Sequence, residues 1–108
     1  MFPSHQKYDS ISLKVTQGIN FSLKSKLANV LLIERLIPCV TFKNIESHFW
    51  WKGNINQSKE VQLMIKCKKE NVNNVCNKIA EWHSYEIPEI IYFRISANKN
   101  YHHWVNSM

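Results

Sequence analysis

The sequence is poor in the residues that interrupt or cross-link a chain. Its 108 residues include only two Gly and three Pro, which excludes collagen-like and low-complexity chains. The three cysteines, Cys39, Cys67 and Cys76, form no C-x-x-C pair, so a disulfide framework and a closed structural zinc site are both disfavoured. No run approaches the roughly 18 consecutive apolar residues of a membrane span. We therefore expect a packed domain with reduced thiols.

The N-terminal region lacks a further feature, the apolar centre of a secretory signal peptide, because residues 1–9 are mostly polar. This predicts a cytoplasmic protein with no transmembrane segment. An apolar fraction of 44% with four Trp, four Tyr and five Phe is typical of a globular core. We expect a flexible N-terminal segment over 1–10 and a single domain over 11–108.

Acidic residues are scarce, with eight Asp and Glu against 14 Lys and Arg, and the formal net charge is +6. Such an excess attracts acidic partners or nucleic acid. The basic residues, however, are mostly Lys and are scattered except at Lys66, Lys68 and Lys69, whereas nucleic-acid binders usually cluster Arg on one element. The K/R-G-F/Y-x-F pattern of RNA-binding sheets is also absent. The sequence therefore disfavours nucleic acid as a partner.

The first part of the chain has the pattern of a strand followed by a helix. Alternation of apolar and polar residues over 11–16 predicts a strand that ends near Gly18. Asn20 is expected to cap a helix that ends before Pro38. The apolar face of this helix is formed by Leu23, Leu27, Val30 and Leu31.

The middle of the chain has the pattern of a long hairpin. Residues 39–51 are rich in β-branched and aromatic side chains and predict one long strand, with a bulge left open. Lys52-Gly53-Asn54 predicts a turn, and after a loop the alternation over 61–66 predicts a second, antiparallel strand. The register between the two strands is not predicted.

The last part of the chain predicts a helix, a strand and a short helix. Asn71 is expected to cap a helix with apolar positions Val72, Val75, Ile79 and Trp82, and Pro88 prevents its continuation. A strand follows over 89–95, and a short helix over 101–105 precedes a loose tail. The order β-α-β-β-α-β, with two helices on one face of a four-stranded antiparallel sheet, predicts an α+β, ferredoxin-like sandwich.

Short motifs in the same order as these elements resemble one family, the CutA divalent-cation-tolerance proteins. The resemblance extends from about residue 12 to residue 105. The matching segments are Cys39-Val40, Ser47-His48-Phe49-Trp50-Trp51-Lys52-Gly53, Glu60-Val61-Gln62-Leu63-Met64-Ile65-Lys66, His83-Ser84-Tyr85-Glu86-Ile87-Pro88-Glu89-Ile90 and Tyr101-His102-His103-Trp104. Several such motifs in register along a short chain are specific, and the fold of the family agrees with the predicted order.

The resemblance implies a non-enzymatic homotrimer in which hairpin strands of neighbouring subunits pair edge to edge. It implies binding of a divalent metal, copper most often, although the metal is not obligatory. For an animal form it implies a partner, through the membrane anchoring of acetylcholinesterase. The segment 16–20 departs from the family pattern, because it lacks the thiol that many relatives carry at the end of their first strand.

Candidate site residues follow from the matched motifs. Metal ligation is assigned to His83, Glu86 and Glu89, against the alternatives of a hydrogen-bonded histidine and of glutamates in salt bridges. A second set forms a subunit interface or a pocket between subunits: Trp51, Glu60, Lys66, Tyr85, Glu89, Tyr101 and Trp104. Cys39 is expected to be an inert core residue.

The same resemblance leaves open a structural or partner-binding trimer. A different function class is a small-molecule-sensing trimer with ligand clefts between subunits, similar to nitrogen-regulatory signal proteins. The segment 52–59, with one Gly, is short for the ligand loop of such a sensor. An enzyme is not expected, since no nucleophile-base pair, phosphate loop or H-x-x-x-H metal spacing occurs.

Overall fold

The chain alternates strands and helices in the predicted order. In a computed structural model, residues 9–18, 21–83 and 86–108 are described, with the backbone alone for 9–18 and 21–24. The elements are β1 (Asp9–Gly18), α1 (Phe21–Ile33), β2 (Cys39–Trp51), β3 (Asn54–Cys67), α2 (Val72–Trp82), β4 (Glu89–Ser96) and α3 (Lys99–Asn106). The β-α-β-β-α-β order and the short C-terminal helix are confirmed, although α3 is longer than the predicted 101–105.

The four strands form one sheet in the order β2-β3-β1-β4, and every neighbouring pair is antiparallel. This arrangement confirms the ferredoxin-like fold class. It also leaves β2 and β4 as the two edge strands, each with one row of backbone groups that this sheet does not pair. Among the described residues, no helix is both long and apolar enough to cross a membrane.

The first strand begins earlier than predicted. Asp9 and Ser10 pair with Ser96 and Ile95 of β4, so these two residues belong to the sheet and not to the flexible segment predicted for 1–10. Hydrogen bonding to β4 extends β1 beyond residues 11–16, whose alternating pattern predicted the strand. Residues 1–8 and the predicted cap Asn20 lie outside the described residues.

The hairpin of β2 and β3 is longer and more regular than predicted. Trp51 pairs with Asn54 across a two-residue turn, and Lys52 and Gly53 have φ angles of 50° and 80°. Positive φ at both central residues is the type I′ requirement, whose twist matches that of the flanking strands. The register is unbroken from Trp51 back to Cys39, so there is no bulge. The predicted loop before residue 61 is therefore wrong, and the polar segment 54–60 is strand.

Helix α1 ends well before Pro38. The Leu36 amide donates to the Leu31 carbonyl oxygen at 3.0 Å, and the Arg35 amide donates to the Leu32 carbonyl oxygen at 3.1 Å. Arg35 has a φ of 56°, so these two bonds form a Schellman motif with a non-glycine residue in the left-handed region. The motif satisfies carbonyl groups at the helix end and directs the chain into the core at Ile37, which is fully buried.

Helix α2 starts without the predicted side-chain cap. Asn71 occupies the N-cap position after a 3₁₀ turn over Lys69–Asn71, but its side chain makes no capping hydrogen bond. Instead, its Nδ2 donates to the carbonyl oxygen of Leu36 at 3.1 Å. Asn71 therefore joins the start of α2 to the segment after α1, a role that sequence spacing alone does not predict.

The core lies between α1, α2 and one face of the sheet. Alternate residues of β3 are fully buried there, as expected for the face that a helix layer covers. The core cluster comprises Leu27, Leu31, Ile37, Val61, Leu63, Ile65, Cys67, Val75 and Ile79. Val72 and Trp82 pack against it, in agreement with the predicted apolar face of α2.

Helix α3 lies on the opposite face of the sheet. Lys66 of β3 belongs to the alternate set that faces away from α1 and α2, and its register partner Cys39 lies on the same face. The hydroxyl of Tyr101 in α3 is 3.6 Å from Cys39 Sγ. Among the described residues, the second face of the sheet is therefore covered by α3 at the Cys39 end, and none of them covers it toward the hairpin turn.

Candidate functional site

A half-open cleft of about 930 Å³ lies beside the uncovered part of the sheet. It is formed by the distal half of the hairpin and by the segment that leads into β4. Its lining residues are Ser47, His48, Phe49, Trp51, Asn56, Gln57, Ser58, Glu60, Glu86, Ile87 and Glu89. The volume is in the range of small-molecule pockets.

Two aromatic side chains form the apolar part of this cleft. Phe49 and Trp51 are alternate residues of β2, so they lie on one face of the hairpin, and each is a little over one third exposed. Their register partners are Asn56 and Asn54, which places amide groups next to the rings. The ammonium of Lys52 lies 5.7 Å from the centroid of the Trp51 ring, within the range of a cation-π interaction.

Three carboxylates line the same cleft. Glu60 is only 4% exposed, whereas Glu86 and Glu89 are exposed. The register brings them to one end of the sheet, because Glu60 pairs with Gly18 and Glu89 pairs with Thr16, two residues away along β1. The described residues that line the cleft include no Lys or Arg. The three side chains therefore place carboxylate groups around one cleft.

The predicted metal ligands are only partly brought together. Glu86 and Glu89 both line the cleft, while His83 follows the last turn of α2 and is not among its lining residues. Within the described part of the chain, no group of three His, Cys, Asp or Glu residues is arranged to hold a metal ion. Of the three predicted ligands, only the two carboxylates share the cleft, and two donors are too few for a closed site.

The predicted interface residues fall into two groups. Trp51, Glu60 and Glu89 line the cleft, but Lys66 and the two aromatic residues of α3 lie at the other end of the sheet. Six residues of extended strand separate Glu60 from Lys66, which corresponds to about 20 Å. Glu60 of the same subunit is therefore out of reach as a partner for Lys66. Tyr85 lies outside the described residues.

The second group is organised around a contact that the sequence did not predict. Tyr101 and Trp104 have ring centroids 5.6 Å apart, and the Tyr101 hydroxyl meets Cys39 Sγ. Burial, together with this hydrogen bond and the nearby thiol charge, raises the pKa of Tyr101 to about 12. Cys39 is half-buried on an edge strand, so the prediction of a buried core residue is wrong. Its thiol contacts α3 on the face opposite the main core.

The other two cysteines belong to the core layer. Burial, with a smaller contribution from the charge of Cys76, raises the pKa of Cys67 to about 12. Burial also raises the pKa of Cys76. Both thiols therefore stay protonated at neutral pH, which makes them poor nucleophiles and poor metal ligands.

Large apolar side chains are exposed along the hairpin and along β4. Trp50 is 70% exposed and pairs in register with Ile55, which is 65% exposed. The exposed apolar residues on the two edge strands are Phe42, Phe49, Trp50, Trp51, Ile91, Tyr92 and Phe93. Several large exposed apolar side chains on one edge strand mark a surface that contacts other molecules.

Several residues of the cleft were not predicted as site residues. Ser47, Phe49, Asn56 and Ser58 line it because the two-residue turn sets the register of the hairpin. The signal was present in the sequence, since Gly53 at the second turn position is typical of a type I′ turn. Once that turn is assigned, Ser47 falls opposite Ser58 and Phe49 opposite Asn56.

Comparison with known proteins gives a consistent result. The CutA1 divalent ion tolerance protein family matches residues 15–108. The divalent-cation tolerance protein CutA of Pyrococcus horikoshii is 32% identical over 81 residues, which cover 74% of this chain and 79% of that protein. Protein CutA of Mus musculus is 30% identical over 101 residues, which cover 92% of this chain but only 57% of the mouse protein.

Solved structures show the same similarity. The divalent ion tolerance protein CutA1 of Ehrlichia chaffeensis superposes with a TM-score of 0.85 at 28% identity, covering 93% of this chain and 94% of that one. The periplasmic divalent cation tolerance protein CutA of Archaeoglobus fulgidus superposes with a TM-score of 0.83 at 26% identity, covering 90% and 94% of the two chains.

Proposed function

We propose a function from one premise: the chain belongs to the CutA1 family of divalent ion tolerance proteins. It acts in divalent-cation tolerance as a non-enzymatic homotrimer that binds a divalent metal, with copper as the first candidate. The names of its relatives support the role in metal tolerance. The exposed edge strands of this chain support the trimer, and the donors in and beside the cleft support the metal.

The exposure of apolar residues on both edge strands is the main support for a trimer. Trp50 and Tyr92 are 70% and 59% exposed on β2 and β4, at the two edges of the sheet. An exposed apolar edge strand in an isolated subunit would promote uncontrolled association, and pairing with further copies of the chain covers it. Two different edges on each subunit allow a closed ring of head-to-tail contacts.

The metal site follows from the same assembly. Glu86 and Glu89 supply oxygen ligands from the cleft, and His83 supplies an imidazole from the end of α2. Because these donors do not form a closed site among the described residues of one subunit, a neighbouring subunit completes the coordination. Such a site binds metal more weakly than a preformed cage, and the fold does not depend on its occupation.

Calorimetric titration with Cu²⁺ and Zn²⁺ tests this function, with the molar mass measured by light scattering in the same buffer. The comparison is between the wild-type chain, His83→Ala and the control His103→Ala, which removes an exposed imidazole from α3. We expect specific binding that His83→Ala weakens and His103→Ala leaves unchanged, at an unaltered molar mass. A trimer without specific metal binding would instead indicate a structural or partner-binding role.

The sensor alternative receives less support from the hairpin. A nitrogen-regulatory type of ligand loop would need to occupy the segment 52–59. That segment consists of a two-residue turn followed by paired strand, since Asn54 to Lys59 are in register with Trp51 to Glu46. No free loop is therefore available there to close over a ligand.

A further inference from the structure

A half-buried cation lies on the face of the sheet that the C-terminal helix covers. Lys66 of β3 is half-buried there, beside its register partner Cys39. Among the described residues, no carboxylate forms an ion pair with its ammonium group. Partial burial of an unpaired charge is unfavourable, because the charge loses hydration without gaining an opposite charge. The described part of one subunit therefore supplies no anionic partner for Lys66.

Two aromatic rings of α3 lie at the same end of the sheet as this cation. The hydroxyl of Tyr101 is 3.6 Å from Cys39 Sγ, and the ring centroids of Tyr101 and Trp104 are 5.6 Å apart. Trp104 is 43% exposed. We call Lys66, Tyr101 and Trp104 the basic-aromatic patch. A patch with one ammonium group and one exposed ring suits a segment that carries both a carboxylate and an apolar side chain.

Such a segment lies at the other end of the same sheet. Glu86 and Ile87 are consecutive residues before β4, outside any helix or strand, and both are exposed, Ile87 at 69%. They line the cleft together with Glu60. Six residues of extended strand separate Glu60 from Lys66, which corresponds to about 20 Å. One subunit therefore keeps the segment and the basic-aromatic patch apart, whereas two subunits can bring them together.

We propose that Glu86 and Ile87 of one subunit dock onto the basic-aromatic patch of the next subunit. The Glu86 carboxylate pairs with the Lys66 ammonium group, and the Ile87 side chain packs on the exposed ring of Trp104. A contact between two different patches is heterologous, and three such contacts close a ring. The inference rests on the proposed trimer and deepens it, because it states which side chains meet and in which direction neighbouring subunits are joined.

Charge reversal tests the contact on the full chain, with the molar mass followed by light scattering along a urea series. A chelator is present, because a metal ion would compete for Glu86. Lys66→Glu and Glu86→Lys should each weaken the trimer about tenfold or more through repulsion of like charges. The variant with both changes should regain nearly the wild-type stability, because the pair is restored with its charges exchanged. The control Glu81→Lys reverses an exposed carboxylate of α2 and should neither weaken the trimer nor rescue Lys66→Glu.

Three results would overturn this contact while leaving the trimer itself intact. They are a trimer that either single reversal leaves unchanged, a double variant no more stable than the single variants, and rescue of Lys66→Glu by Glu81→Lys, which indicates charge effects in general. A molar mass of one chain for the folded wild-type protein would overturn the proposed trimer and the contact together. If Lys66→Glu does not fold, as judged by circular dichroism, Lys66→Gln and Glu86→Gln provide the same test, because losses through one shared pair are not additive.

Discussion

The two halves of strand β3 differ sharply in their surroundings. From residue 61 onward, alternate residues are fully buried beneath α1 and α2, whereas residues 54–59 are exposed or half-buried. Both halves pair with β2 in one unbroken register. Backbone pairing alone therefore does not distinguish them. The difference lies in what covers the side chains, which is a helix layer for one half and nothing within the described part of the subunit for the other.

This difference separates a part of the subunit that stabilises the fold from a part that contacts other molecules. The helix-covered half supplies the stability of the subunit, because burial of apolar area is the main favourable contribution to folding. The distal half of the hairpin holds Phe49, Trp50 and Trp51 where they remain available for contact. A long hairpin that projects from a stable core is suited to binding other molecules, including further copies of the same chain.

The largest expected effect comes from truncating the covered half. Leu63→Ala should lower the free energy of unfolding by about 2 to 5 kcal/mol, because Leu63 is fully buried in the core cluster. The matched change in the distal half, Ile55→Ala, should cost less than about 1 kcal/mol in an isolated subunit, since Ile55 is 65% exposed. Urea denaturation at several protein concentrations measures both.

Equal losses from these two substitutions would contradict the difference in burial between the two halves of β3. A loss for Ile55→Ala that grows with protein concentration would instead place Ile55 in a contact between subunits.

The turn that extends the hairpin should show the next largest effect. Gly53 has a φ of 80°, and a Cβ placed there would meet nothing within 4 Å, so the penalty of Gly53→Ala is backbone strain alone. We expect a loss of about 1 to 2 kcal/mol. Thermal denaturation measures it, with Lys52→Asn as the control at the other turn position. A neutral Gly53→Ala would contradict the type I′ turn and the register that depends on it.

A smaller effect is expected at the join between the two helices. Asn71→Ala removes the hydrogen bond from Nδ2 to the Leu36 carbonyl oxygen and should cost about 1 kcal/mol. Asn74→Ala, on the exposed side of α2, should instead stabilise slightly through helix propensity. Chemical denaturation of both variants decides whether Asn71 acts through this bond, because a mere change of propensity would give both the same sign.

The smallest effect at neutral pH concerns the buried thiol. Burial raises the pKa of Cys67 from 9.0 to about 12, so the folded state holds this proton more tightly than the unfolded state. Its contribution to stability is complete below pH 9 and is lost as the pH rises toward 12. Cys67→Val should reduce this alkaline loss without removing it, since burial also raises the pKa of Cys76. Unfolding curves between pH 7 and 11 test this, and an unchanged slope would contradict it.

The sequence predicted well what depends on local pattern. The alternation over 61–66 and the apolar spacing of Val75 and Ile79 located a strand and a helix, because burial on one face imposes their periods. The prediction from sequence failed where contacts between distant parts of the chain override the local composition. Residues 54–59 are polar except for Ile55 and resemble a loop, but a two-residue turn keeps them paired with β2. Asn71 resembles a helix cap, yet a carbonyl group 35 residues away takes its hydrogen bond.

The candidate site was predictable only in part for the same reason. The matched motifs identified Trp51, Glu60 and Glu89, which do line one cleft. They also suggested Lys66, Tyr101 and Trp104 for the same pocket, but the distance along β3 separates these from the cleft within one subunit. Spacing along a chain does not show which end of a sheet a residue reaches until the register is known.

If further copies of the chain cover the exposed edges of the sheet, the molar mass in solution must exceed that of one chain. Light scattering at micromolar concentration should give three times the 12.8 kDa of one chain. Trp50→Ser, at the most exposed aromatic residue of the hairpin, should shift the population toward smaller species without loss of helical signal. A mass of one chain for the folded wild-type protein would contradict the account.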